Sequence, residues 1–86
     1  MRKWYELRAH SEGREVRVAP KFLAVLDMED PDQARRDLTQ HVLAAADRNG
    51  VTRDRAHTLY LAVHEMRGDR PENRPVYTYA LPVEVA

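Results

Sequence analysis

Four histidines, fourteen carboxylates and a single serine, Ser11, are the residues from which this chain could assemble a metal centre or a catalytic site. His64-Glu65 opens like the helical zinc-protease signature, but Gly68 stands where the second histidine belongs, and the pair lies in a stretch that alternates like a strand. His57 and His64 have opposite parity along that stretch, so one metal could take both only across a bulge, and His10 and His41 lie far from them in the chain. No cysteine is present, which excludes disulfides, thiolate zinc sites and cysteine nucleophiles.

Asp27, Glu29, Asp30, Asp32 and Asp37 crowd together, yet a calcium loop beginning at Asp27 wants glycine sixth and glutamate twelfth, where Asp32 and Leu38 stand. These carboxylates suit the positive end of a helix instead. Three scattered glycines build no phosphate-cradling loop, and Ser11 sits in no Gly-x-Ser-x-Gly turn. Arg67-Gly68-Asp69 spells an adhesion tripeptide but falls in a run of charge, proline and glycine that reads as a solvated loop. No catalytic residue, metal or cofactor is therefore assigned. A pocket near His41, His57 and Glu65 is the one place left for a small enzyme or ligand carrier.

Two groups of residues suit binding better than catalysis. Trp4, Tyr60, Tyr77 and Tyr79 fall in strand-like stretches, and on a sheet with one bare side some of them would stand beside Arg8 and His64, as protein-anchoring and base-stacking aromatics do. Arg67, Arg70 and Arg74 share the loop from Arg67 to Pro75, where they could meet an acidic surface or a phosphate.

Something must position these side chains, and the clearest element runs from Asp30 to Gly50. Asp30 is a suitable N-cap, Pro31 has φ preset for the first helical position, and Gln33 stands at the capping-box position. Asn49-Gly50 ends the helix, with Val51 placed to fold back on Ala46. A helix from Pro31 to Asn49 would be roughly 28 Å long. Ala34, Leu38, His41, Val42 and Ala45 fall on one side of it, with Arg36, Gln40 and Asp47 opposite. Leu43 lies off the stripe and reads as a lone exposed leucine, or else as a contact with another element.

Before the helix, Tyr5, Leu7 and Ala9 alternate with Trp4, Glu6 and Arg8, and the turn residues from Ser11 to Arg14 lead into Val16 and Val18: a β-hairpin. Ala19-Pro20 reads as the end of the second strand. Phe22 to Leu26 is too short and too apolar for periodicity to settle; its leucine and alanine favour a short helix, with a buried strand as the alternative. After Gly50, the stretch Thr52 to Ala56 is polar and brings the chain back along the helix. His57 to Met66 then reads as a central strand, and Val76 to Leu81 as a last strand stopped by Pro82.

The fold class expected is α+β: one two-layer domain across residues 1–86, with about four antiparallel strands in ββ-α-ββ order and the long helix across one face. Hydrophobic content of 43% and charged content of 33% fit a folded domain. There is no apolar run of membrane-spanning length and no charged-then-apolar leader, so a cytoplasmic protein is expected. Twelve arginines against two lysines, with abundant alanine, match coding in a GC-rich genome such as that of an actinobacterium or one of its phages.

The formal net charge is zero, which counts against nucleic acid and anionic membranes as partners. The expectation is a small non-enzymatic interaction protein that docks a protein partner or a second copy of itself. A single-stranded nucleic-acid binder using the same aromatics and arginines is the alternative.

Overall fold

The computed structural model describes residues 1–11 and 17–82. The element order is β1 (Lys3–Ser11), β2 (Arg17–Leu26), α1 (Pro31–Arg48), a 3-10 helix (Arg53–Thr58), β3 (Leu59–Arg67), β4 (Arg70–Pro71) and β5 (Tyr77–Ala80). The expected α+β class and ββ-α-ββ order hold. Among the described residues the sheet runs β2-β1-β3, and β4 and β5 lie end to end along the far edge of β3, so it is four strands wide. Every pairing is antiparallel.

Both helix ends are built as the local residues dictate. Asp30 Oδ1 accepts the Gln33 N–H at 3.2 Å, while the Gln33 side chain turns forward to Asp37 Oδ1 rather than back to the cap. At the other end Val51 N–H donates to Ala46 O at 2.9 Å and Gly50 N–H to Asp47 O at 3.3 Å, with Gly50 at φ 68°. These are the paired bonds of a Schellman closure, and Ala46 and Val51 close it with their apolar contact.

The helix lays Leu38, Val42 and Ala45 onto Leu7, Ala9, Leu61 and Val63, all buried, with Tyr5, Ala24, Leu26 and Tyr79 around them. A second, smaller cluster forms where Ala56 of the 3-10 helix packs on Ala46 and Leu59. Leu43 packs against that cluster, so it is a contact with another element and not a lone surface leucine. The stripe had no visible partner there because the polar segment Thr52 to Ala56 hides its one packing residue, Ala56.

Two expectations for the stretch before the helix are corrected. Pro20 does not end the second strand, and Phe22 to Leu26 is not a helix: β2 runs through both. The register explains how. Leu7 faces Phe22, but Ala9 faces Val18, so three β2 residues bulge opposite Arg8 alone, and Pro20 sits in the bulge, where a missing N–H breaks no regular ladder. Beyond it Phe22, Ala24 and Leu26 turn towards the helix while Leu23 and Val25 are exposed, which makes this an edge strand rather than a buried one. The turn expected at Ser11 to Arg14 lies outside the described residues apart from Ser11, the last residue of β1. The loop from Arg67 to Pro75 holds a two-residue strand of its own, β4, folded back on Met66 and Arg67 about Gly68 at φ 60°.

Leu61→Ala should lower the unfolding free energy by about 3 kcal/mol, since Leu61 is fully enclosed. Leu23→Ala should change that of the monomer, at concentrations too low for association, by no more than about 0.5 kcal/mol. Comparable losses in urea titrations would contradict Leu23 pointing out of the sheet. Gly50→Ala should cost about 1 kcal/mol from backbone conformation alone, because no atom lies within 4 Å of the added carbon.

Candidate functional site

Alternation and register decide which side chains share the face that α1 leaves bare. Across the sheet Trp4 stands opposite Val25, Glu6 opposite both Leu23 and His64, Arg8 opposite Ala62, and His10 opposite Tyr60; Ala62 faces Thr78 and Tyr60 faces Ala80 on β5. Directly opposed residues point to the same side of an antiparallel sheet. All of these therefore stand on the side away from Leu7, Leu61 and Val63, whose side chains meet the helix.

This face has an apolar margin and a polar middle. Trp4 is 58% exposed and Leu23 56%, and with half-exposed Val25 they form one patch at the β2 side. In the middle, Arg8 Nε donates to Glu6 Oε2 at 2.7 Å, with both side chains largely covered. At the far corner the rings of His10 and Tyr60 stack, centroids 5.1 Å apart and planes 19° from parallel. The loop after β4 reaches the fourth corner, where His64 Nδ1–H donates to the Glu72 carbonyl at 2.8 Å. The imidazole is 4% exposed.

The structure thus brings together part of the expected set. Trp4, Arg8, Tyr60 and His64 share the bare face, although His64 is covered by the loop and Arg8 is held by Glu6. Tyr77 and Tyr79 stand on the opposite face. Tyr79 is 9% exposed, and because the Thr39 hydroxyl already donates to Arg35 O at 2.7 Å, the 2.6 Å bond between Tyr79 and Thr39 has the tyrosine as donor. Tyr77 walls a cavity of about 220 Å³ with Met28, Pro31, Ala34, Arg35 and Leu38. Arg67, Arg70 and Arg74 are exposed, with Arg67 ion-paired to Glu72 within the loop.

Sequence reasoning missed Leu23, Val25, Glu6 and His10. The alternation of Leu23 and Val25 against Phe22, Ala24 and Leu26 is the signal that could have found the first two; it was hidden because both sets are apolar.

Among the described residues no group of three or more His, Cys, Asp or Glu side chains is placed to hold a metal ion, and no helix is long and apolar enough to cross a membrane. The three described cavities have none of His41, His57 or Glu65 in their walls. His41 instead packs its ring on Phe22, centroids 5.0 Å apart, and desolvation there holds its pKa below the ordinary 6.5 against the opposing pull of Asp37.

That imidazole binds a proton more readily unfolded than folded, so its contribution to stability is intact above the ordinary pKa and is lost as pH falls from there through the lower folded-state pKa. Between about pH 7.5 and about pH 5.5 the wild type should lose more stability than His41→Gln, measured by denaturant titration at each pH. Parallel profiles would show that His41 is not desolvated. In comparisons with known proteins, no family model, no curated protein and no solved structure matches the chain.

Proposed function

We propose that this is a non-enzymatic interaction protein that binds another protein chain, either a partner or a second copy, through the bare sheet face and the arginine-bearing loop beside it. The observation that carries this reading is the placement of Trp4, Leu23, Val25 and Tyr60 together on a face that α1 does not cover. Large apolar side chains grouped on one side of a small domain mark a docking surface more often than scattered ones do. A tryptophan and a tyrosine at its two ends are the residue types that anchor protein interfaces.

The chemistry of the middle of the face favours protein over single-stranded nucleic acid. A stacking platform needs cations aimed at phosphates, and the one arginine among these side chains is engaged by Glu6 at 2.7 Å. The His10 and Tyr60 rings each give one face to the other. Arg70, opposite Arg67, falls by register on the helix side of the sheet, and Arg74 is exposed in the loop that follows β4, where it suits an acidic residue of a partner protein.

A photo-crosslinking amino acid placed at position 4 or 60, with position 40 on the exposed side of α1 as control, tests this in lysate of the source cells. Crosslinks to a protein chain from positions 4 and 60 but not from 40 are expected. Equal labelling from all three, or none, would remove the reading.

A further inference from the structure

The free edge of β2 shows how the chain can meet a second copy. Val63 gives its carbonyl to the Val76 N–H and Glu65 gives its own to the Glu72 N–H, each at 2.8 Å, so the odd-numbered residues of β3 direct their backbone groups to the β4 and β5 side. The even-numbered ones then face β1, and His64 and Ala62 are bonded to Glu6 and Arg8. In β1 this leaves the odd residues Lys3, Tyr5 and Leu7 to bond Leu26, Ala24 and Phe22. By the same alternation the N–H and C=O of Leu23 and Val25 point out of the sheet, and among the described residues no strand pairs with that edge.

Edges of this kind are usually blunted by a proline, a bulge or a cover. Here Pro20 and the bulge lie at one end of β2, and the five residues Phe22 to Leu26 beyond them carry neither. We infer that this segment pairs antiparallel with the same segment of a second copy, about a two-fold axis at Ala24, joining two four-stranded sheets into one.

The sequence is self-complementary in that register. Leu23 meets Val25 of the second copy on the bare face, Phe22 meets Leu26 on the helix face, and Ala24 meets its own equivalent. The backbone groups agree as well, since Leu23 and Val25 both point outward and form the hydrogen-bonded pairs. On the bare face the seam then reads Trp4, Val25, Leu23 and Glu6 in both directions, so the two exposed apolar patches merge into one.

A net charge of zero sets no repulsion between copies.

This inference rests on the protein-docking reading and fixes one occupant and one edge. Sedimentation velocity of the full chain should show the mass doubling from 10.0 kDa as concentration rises. Val25→Pro removes an outward N–H, hence two bonds per dimer, and should weaken association by about tenfold or more, while Val25→Thr keeps the N–H and should keep the dimer. Because the chain has no cysteine, Ala24→Cys creates a single thiol that should oxidise to a disulfide-linked dimer under native conditions, and Leu23→Cys, whose opposite is position 25, should not. A monomer at every concentration, a dimer that Val25→Pro leaves intact, or an Ala24→Cys variant that stays unlinked would overturn the inference. Crosslinking from position 60, two strands away from the edge, reports on the docking reading whatever happens at β2.

Discussion

One helix has one apolar stripe, and a sheet has two faces. The burial of Leu38, Val42 and Ala45 on Leu7, Leu61 and Val63 is the contact on which the other elements depend. A helix with its side chains is about 10–12 Å across, and four strands about 4.8 Å apart make a wider platform, so α1 covers the middle of one face and leaves its flanks open. The chain closes those flanks with single contacts. Phe22 against His41 fills the β2 side, the Tyr79 to Thr39 hydrogen bond ties down the β5 side, and Ala56 plugs the end where the helix stops. Among the described residues no helix lies on the reverse. What stands there must be polar, paired with itself or left to another molecule.

Much of this arrangement was legible because it is local. Asp30, Pro31, Asn49 and Gly50 specify where a helix starts and stops through bonds within a few residues of themselves, and the structure forms them. His57 to Met66 read as the central strand because Leu59, Leu61 and Val63 alternate with Tyr60, Ala62 and His64; the structure forms it over Leu59–Arg67, with His57 and Thr58 ending the 3-10 helix instead. The second strand failed for a reason that is also physical. Proline excludes a residue from a regular ladder, but three residues bulging opposite Arg8 make a place where no ladder exists, and a bulge is a property of two strands rather than of one stretch of sequence. Leucine and alanine in Phe22 to Leu26 then suggested helix propensity, and tertiary pairing with β1 overrode it.

The site was less legible than the fold because parity within a strand does not say which parity meets the helix. Tyr77 and Tyr79 alternate as cleanly as Trp4 and Tyr60 do against their neighbours. Only the pairing of Leu61 with Tyr79 and of His10 with Tyr60 sends the first pair of aromatics to the helix side and the second to the bare side. His64 shows a further layer of the same difficulty. It shares the bare face by register, yet the Glu72 carbonyl reaches it from eight residues on and covers it, so its role there is to hold the loop against the sheet.

The balance of charge bears on what kind of recognition such a face can perform. Arg8 and Glu6 neutralise each other at the centre, Arg67 and Glu72 do so in the adjoining loop, and the whole chain has as many acidic as basic residues. A surface without a net field neither steers a charged partner from a distance nor repels a neutral one, so selectivity falls to short-range terms: the shape of the patch formed by Trp4, Leu23 and Val25, and the direction of the backbone groups beside it. Those terms are strongest for a surface that repeats the same spacing and the same alternation. The outer half of β2 is apolar on both sides and directs along one line hydrogen-bonding groups that no strand pairs among the described residues, and in the proposed pairing it meets that requirement with its own sequence run in the opposite direction.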